Sequence, residues 1–177
     1  YVRRAYFHAK ARRVVYVKLP MEDSEEGMCG ILVKAMYDTR DAAQNWECEY
    51  IDFMVSAGFV KGKSTPCMFY HKGIDVRVVI HADGFTILGI EVSLDWFREE
   101  ISNRFEVKYR ARLGMGDKDD KSVRILNRIV EWGSEGLKYE ADQRHAELIM
   151  QEFGLNDKSN SVNTPGQKKL EDSDETD

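Results

Sequence analysis

A pair of apolar segments joined by a short polar turn constrains the fold of this chain more than any other feature. Residues 78–89 read VVIHADGFTILG, with apolar runs on both sides of Asp83-Gly84. Asp-Gly between two such runs is typical of a tight β-hairpin, because glycine tolerates the positive φ that two-residue turns require. The sequence therefore predicts that residues 75–82 pair antiparallel with residues 85–89 and that Asp83 lies at the hairpin tip.

Amphipathic helices are predicted on both sides of this hairpin. Apolar residues recur every three or four positions across residues 39–57, where Asp38 can cap the start and Gly58 can close the end. We expect this helix to pack on the sheet that carries the hairpin, with Trp46 in the core. Ser93 is expected to cap a second helix. Its apolar side is formed by Leu94, Phe97, Ile101 and Phe105.

Further strands and a third helix complete the pattern. Asp142 is expected to cap a last helix that runs through Phe153 and ends at Gly154. Helices that interrupt antiparallel strands are typical of an α+β fold with the helices packed on one face of the sheet, and a ferredoxin-like split β-α-β arrangement fits this order. The remaining predicted strands are 14–20, 67–71, 105–113, 122–132 and 136–140.

Composition and charge fit one globular domain with a local basic segment. The chain has 177 residues, 42% of them hydrophobic, and a net charge of -5. Residues 1–20 nevertheless carry no acid. Their cations are Arg3, Arg4, Lys10, Arg12, Arg13 and Lys18. Such an arm can contact phosphate, and an ordinary solvated surface is the alternative. The sequence has no membrane-spanning run and no apolar signal-peptide core.

The three cysteines do not indicate a metal site or a disulfide framework. Cys29, Cys48 and Cys67 are widely spaced and match no zinc-binding pattern, and an odd number does not suit a set of disulfides. Free cysteine is among the residue types most often buried in protein interiors. We therefore expect three buried thiols in a reducing compartment.

Several segments, in order, resemble the reverse transcriptase of copia-type retrotransposons, an RNA-directed DNA polymerase. The resemblance extends from residue 1 to about residue 166, and it rests on the order and spacing of the segments, since no single one is decisive. The matching segments are VRRAYFHAKARRVVYVKLP, LVKAMYDTRDAAQNW, GFVKGKSTPCMFYHK, VVIHADGFTILG, RFEVKYRARLG, LKYEADQRHAELIMQEFGL and NTPG.

The resemblance implies a fold, a set of partners and a location. The implied fold is a reverse-transcriptase palm with part of the fingers across residues 1–165, truncated at its N-terminus, followed by a disordered acidic tail at 166–177. The chain begins with Tyr1 rather than Met, as expected of a fragment. The implied partners are an RNA or DNA template-primer, a deoxynucleotide, and the integrase and ribonuclease H domains of a Pol polyprotein, with no membrane. The implied location is the cytoplasm, within a virus-like particle, or the nucleus.

The resemblance also implies an active site that holds Mg²⁺, and most of its ligands are replaced in this sequence. Family members place one Asp at the end of the first strand and an Asp pair at the hairpin tip, where two Mg²⁺ ions stabilise the attacking and leaving oxygens. Here Tyr1 and Gly84 stand at two of these positions, which leaves Asp83 as the expected catalytic and metal-binding carboxylate. One carboxylate holds Mg²⁺ poorly, because this ion sheds water reluctantly. We therefore expect weak Mg²⁺ binding and a polymerase activity that is absent or severely reduced.

Other positions in the matched segments have two interpretations each. Tyr6 stands where the family has an aromatic residue against the sugar of the incoming nucleotide, and a core tyrosine is the alternative. Asp38 and Asp41 place negative charge where phosphate would approach, although acids that stabilise a helix N-terminus explain them better. His81 is expected to be a partly buried polar residue rather than a ligand, and Trp96 a core residue.

The sequence is also compatible with two functions besides polymerisation. One is a non-catalytic nucleic-acid-binding module that keeps the basic arm at residues 1–20. Its binding to RNA would depend on salt and would need no Mg²⁺. The other is a decayed element with no selected function.

Overall fold

A computed structural model of the chain describes residues 1–140, 143–156 and 158–160. The chain divides into two compact units, Tyr1–Arg110 and Ala111–Asp177. The described residues form nine strands in antiparallel sheets and three α-helices, so the prediction of an α+β fold is confirmed. No helix within these residues is long and apolar enough to cross a membrane. The predicted disordered tail at 166–177 and the predicted cap Asp142 lie outside them.

The first unit is built on a four-stranded antiparallel sheet. The sheet consists of the third to sixth strands of the chain, in sequence order, and the first two strands form a separate two-stranded ribbon. Of the strand predicted at 14–20, only Tyr16–Val17 forms a strand. The elements of this unit are β1 (Tyr16–Val17), β2 (Gly30–Ile31), α1 (Ala42–Ser56), β3 (Val60–Lys61), β4 (Met68–His71), β5 (Val76–His81), β6 (Gly84–Leu88) and α2 (Glu91–Arg104).

The hairpin formed by β5 and β6 has its turn one residue earlier than the sequence predicts. The antiparallel pairing of the two strands is confirmed, and His81 pairs with Gly84. The turn is therefore Ala82-Asp83, and Ala82 rather than Gly84 has the positive φ, at 52°. The prediction of an Asp-Gly turn is wrong because register follows burial. Alternate residues of β5 (Val76, Val78 and Ile80) are buried, and a slip of one residue would turn them outward.

Helix α1 packs in the same core as the hairpin, as predicted. Trp46 is 2% exposed, and the ring of Tyr50 contacts those of Phe69 and Phe85 edge to face. The predicted cap is wrong. Asp41, not Asp38, occupies the N-cap position, and its side chain makes no capping hydrogen bond.

The end of α1 follows the sequence prediction. Gly58 has a φ of 88°, which a glycine adopts without strain. Its N–H donates to the carbonyl of Val55, and the N–H of Phe59 donates to the carbonyl of Met54. This pair of bonds is a Schellman motif, which satisfies carbonyl groups that the last helical turn leaves free.

Helix α2 buries its predicted apolar side but begins without the predicted cap. Phe97, Ile101 and the following residue Phe105 are buried. Ser93 lies inside the helix and is itself buried, and its hydroxyl donates to the carbonyl of Ile74 at 2.9 Å. Ser93 therefore fastens α2 to the turn between β4 and β5 instead of closing the helix start. The predicted strand at 105–113 is also wrong, since these residues form only isolated bridges.

The second unit contains a three-stranded antiparallel sheet, β7 (Ser122–Ile125), β8 (Arg128–Gly133) and β9 (Gly136–Glu140), and the helix α3 (Gln143–Glu152). The hairpin predicted at Gly133-Ser134 is confirmed. The strand predicted at 122–132 is two strands, because Leu126 and Asn127 both have positive φ and form a tight turn. Gly154, with a φ of 64°, follows α3 as predicted.

The cysteines are less buried than expected. All three are free thiols, but Cys29 is exposed, and Cys48 and Cys67 are half-buried. The prediction fails for Cys29 because it lies beside β2, in a two-stranded ribbon whose nearby residues Met28 and Ile31 are also exposed.

A glycine pair in the first unit tests the packing behind α1. A Cβ at Gly58 would lie 2.8 Å from Nε2 of His71, whose ring packs against Phe59 and Trp96, whereas a Cβ at Gly27 would meet nothing within 4 Å. Both glycines have positive φ. We expect Gly27→Ala to cost about 1 kcal/mol through backbone strain alone and Gly58→Ala about 2 kcal/mol or more. Urea unfolding of both variants measures this, and equal losses would contradict it.

Candidate functional site

The hairpin tip contacts the first residues of the chain. The N–H of Val2 donates to the carbonyl of Asp83 at 2.9 Å, and the N–H of Lys108 donates to the carbonyl of Tyr1 at 2.9 Å. Val2 is fully buried and pairs with Val107 in an antiparallel bridge. Burial lowers the pKa of the Tyr1 amino group, and the nearby Asp83 carboxylate opposes that shift. The first residues of the chain therefore lie beside Asp83, which is remote from them in the sequence.

Trp46 holds the tip from inside the core. Its indole Nε1 donates to the carbonyl of Ala82 at 2.8 Å, and its ring packs edge to face on Phe105 at 5.2 Å. A positive φ at alanine is strained and persists only where the surroundings enforce it. The hydrogen bond from Trp46 supplies one such constraint. The sequence predicts a buried Trp46 but gives no sign of this bond, which joins α1 to a turn 36 residues away.

We call Tyr1, Asp83 and Gly84 the tip site, and its ligand chemistry is sparse. Asp83 is exposed, and it is the only member with a carboxylate side chain. Within the described part of the chain, no group of three or more His, Cys, Asp or Glu side chains is arranged to hold a metal ion. Mg²⁺ requires near-octahedral oxygen ligands. The tip site therefore does not fit a two-metal centre, and the weak binding expected from the sequence stays a prediction.

Position 84 can accept a larger residue. Gly84 begins β6 and is not among the glycines with positive φ. A Cβ there would lie 3.2 Å from the carbonyl oxygen of His81, a tight contact that a shift of a few tenths of an ångström relieves. An aspartate at this position therefore fits the hairpin once the His81 carbonyl has moved by that amount.

The carboxylate of Glu106, next to this site in the fold, is already engaged. The N–H of Arg3 donates to the backbone carbonyl of Glu106 at 2.7 Å. The side chain of Glu106 accepts from Arg3 at 2.7 Å and from Arg4 at 2.8 Å. The hydrogen bond from Arg4, followed by the positive charges of both arginines, lowers the pKa of Glu106 despite some desolvation. The Glu106 carboxylate therefore holds Arg3 and Arg4 of the N-terminal segment and is not free to bind another cation.

The structure bears differently on the predictions for the other candidate residues. Tyr6 is half-buried, and its ring lies 4.4 Å from that of Tyr37, so both interpretations of Tyr6 stay open. His81 is exposed, so the prediction of partial burial is wrong; it lies on the outward-facing phase of β5. Trp96 is half-buried against the core, and Asp38 is exposed.

The basic N-terminal arm is largely paired with acids of its own unit. The Nε of Arg13 lies 3.1 Å from Oδ1 of Asp41, and the Nη2 of Arg12 lies 3.8 Å from Oδ2 of Asp52. Together with Arg3 and Arg4, four of the six arm cations form ion pairs. The sequence could not show this pairing, because the acids are remote along the chain. The arm therefore has much less free positive charge than its composition indicates.

Asp41 illustrates how the arm changes an acid on α1. Desolvation would raise the pKa of Asp41, but hydrogen bonds from its own backbone N–H, Asn45 and Arg13 outweigh it and lower the pKa. Asp41 occupies the N-cap of α1, which agrees with the interpretation of an acid at a helix N-terminus. Its charge is also partly balanced by Arg13, so it opposes phosphate less than its sequence position suggests.

Comparison of the chain with protein-family models, with curated proteins and with solved structures gives no significant match. The assignment of a function therefore rests on the residues and contacts described above.

The bond that anchors the tip can be tested by replacing Trp46. We expect Trp46→Phe to destabilise the first unit by about 2 kcal/mol, because it leaves the Ala82 carbonyl without its donor and opens a small cavity. Trp96→Phe is the matched control, since Trp96 is only half-buried. Urea unfolding monitored by circular dichroism measures both. A loss at Trp46 no larger than the loss at Trp96 would show that the bond does not constrain the tip.

The ion pairs at Glu106 predict a dependence on pH. Because the pKa of Glu106 is lowered in the folded chain, its carboxylate stabilises the fold above the ordinary value of 4.5, and this contribution is lost as the pH falls through the lower folded value. We expect Glu106→Gln to lower the melting temperature at pH 7 and to have a smaller effect near pH 3, below the ordinary pKa of the carboxyl group. Glu26→Gln, at an exposed position of the same unit, serves as control. A Glu106→Gln effect that is the same at both pH values would contradict the pairing.

Proposed function

We propose that this chain is the palm, with part of the fingers, of a copia-type reverse transcriptase whose polymerase activity is lost or severely reduced. The ferredoxin-like split β-α-β arrangement of the palm is part of this proposal. One observation supports it above the others. The hydrogen bond from Val2 to Asp83 joins the segment that resembles the family's first block to the segment that resembles its Asp-containing hairpin.

The absence of activity follows from the side chains at the tip site. A polymerase of this family moves a primer hydroxyl onto a nucleotide phosphate and needs several carboxylates on one rigid edge to hold its metal ions. Tyr1 and Gly84 supply none, and Asp83 supplies one. Asp83 is exposed at the turn and can still attract a hydrated cation, as any surface carboxylate does. No step of nucleotide transfer is assigned to these residues.

The proposed partners follow from the same resemblance. They are an RNA or DNA template-primer, a deoxynucleotide, and the integrase and ribonuclease H domains of a polyprotein. Tyr6 lies in the helical turn Ala5–His8 that follows Val2. The resemblance assigns it to contact the sugar of the nucleotide. Its ring is tilted against that of Tyr37 and the residue is half-buried, so part of Tyr6 stays accessible for this role.

A non-catalytic nucleic-acid-binding module is less well supported. Its best argument was the positive charge of residues 1–20, and four of those six cations form ion pairs within the first unit. An ion-paired arginine must exchange a carboxylate for a phosphate, which weakens the net gain from each contact.

Restoring the missing carboxylates tests the proposal. We expect Tyr1→Asp combined with Gly84→Asp to bring three carboxylates together, and their repulsion to raise the pKa of at least one of them in the absence of metal. Mg²⁺ or Mn²⁺ should then stabilise this variant, by about 1.4 kcal/mol at a tenfold excess over its Kd. The native chain should show almost no shift. The measurement is the melting temperature as a function of metal concentration.

The matched control is the neutral pair Tyr1→Asn with Gly84→Asn. It has the same size and shape as the aspartate pair but lacks the charge, so it should behave like the native chain. Equal metal-induced shifts in the aspartate and asparagine variants would show that positions 1, 83 and 84 do not form a metal site. Primer extension by the native chain would overturn the proposed loss of activity.

A further inference from the structure

A basic groove lies in the first unit between the N-terminal arm and the helices. It consists of two adjoining cavities of about 290 and 470 Å³, which share Lys10, Glu49 and Arg104 in their walls. Lys34 lines the first cavity, and Arg12 and Asp52 line the second. We call this the Lys10–Lys34 groove. None of the tip-site residues lines it.

The backbone places two lysines directly opposite one another in this groove. Lys10 and Lys34 pair in an antiparallel bridge. The flanking hydrogen bonds, Ala35 N–H to Ala9 and Ala11 N–H to Val33, make this a non-hydrogen-bonded pair, in which the two Cα atoms lie about 4.5 Å apart and the side chains share one face. Like charges in such a pair repel each other. An anion bound between the two side chains would remove that repulsion.

The lysines have no carboxylate partner within the described residues, unlike the arginines of the groove. Arg104 is paired with Glu49, and Arg12 lies 3.8 Å from Asp52. The Nζ of Lys34 donates instead to the backbone carbonyl of His8 at 3.1 Å. Four cations and two carboxylates give the groove a formal excess of two positive charges, in a chain whose net charge is -5. The excess is concentrated at Lys10 and Lys34.

We propose that the Lys10–Lys34 groove binds a small ligand with linked phosphate groups, of which inorganic pyrophosphate is the simplest. The two lysine ammonium groups bind the phosphates, whereas Arg104 and Arg12 keep their partners Glu49 and Asp52 and contribute less. The cavity volumes match a small ligand rather than an extended polymer. This site is independent of the proposed reverse-transcriptase origin, because it uses other residues.

Calorimetric titration of the full chain with pyrophosphate tests the proposal. We expect Lys10→Gln combined with Lys34→Gln to weaken binding at least tenfold, since both ammonium groups are lost. Lys18→Gln combined with Lys63→Gln is the matched control: it removes the same charge from two exposed lysines outside the groove. It should leave the affinity within about twofold of the native value. Circular dichroism verifies that each variant is folded.

A second variant should have the opposite effect on the affinity for pyrophosphate. Asp52 is exposed, and Asp52→Asn removes a negative charge from the groove and frees Arg12, so binding should tighten severalfold. Failure of the native chain to bind pyrophosphate, or equal losses in the two lysine pairs, would overturn the proposal. The proposal would also be overturned if a short single-stranded oligonucleotide bound more tightly than pyrophosphate and if this binding were lost in the Lys10→Gln, Lys34→Gln variant. That result would assign the groove to nucleic acid.

Discussion

The indole N–H of Trp46 donates to the carbonyl of Ala82 from within the core, and the geometry of the hairpin tip depends on this bond. A buried N–H must find an acceptor, so the large ring and the turn fix each other's position. The turn then presents the Asp83 carbonyl to the N–H of Val2. Through these two bonds, a helix, a hairpin and the N-terminal segment converge on one point.

Local sequence signals predicted those elements well where no competing signal was present. The end of α1 at Gly58 was predictable because it involves only the backbone of Gly58 and Phe59 and the carbonyls of Val55 and Met54 in the last helical turn. The hairpin turn was misplaced because Gly84, a strong local signal, competes with the burial of Val78 and Ile80, and burial involves more free energy. The prediction of Ser93 as a helix cap is wrong for a similar reason, because its hydroxyl donates to the carbonyl of Ile74, outside its own helix.

The candidate site could be predicted only in part. The position of Asp83 at a tip follows from residues 78–89 alone. The approach of Tyr1 to that tip, and the pairing of the arm arginines with Asp41, Asp52 and Glu106, depend on contacts between remote segments. Composition therefore overstated the free charge of the arm and gave no indication that Lys10 and Lys34 are opposed.

The position of the turn at Ala82-Asp83 has a consequence for how the chain can change over generations. Gly84 is a strand residue without positive φ, so the fold opposes a side chain there only through the 3.2 Å contact with the His81 carbonyl oxygen. Tyrosine codons and some glycine codons lie a single base substitution from aspartate codons. Selection for a stable fold therefore acts on the exchange of glycine and aspartate at position 84 only through that contact. The hairpin can therefore gain or lose a carboxylate at position 84 over generations while its strand pairing stays the same.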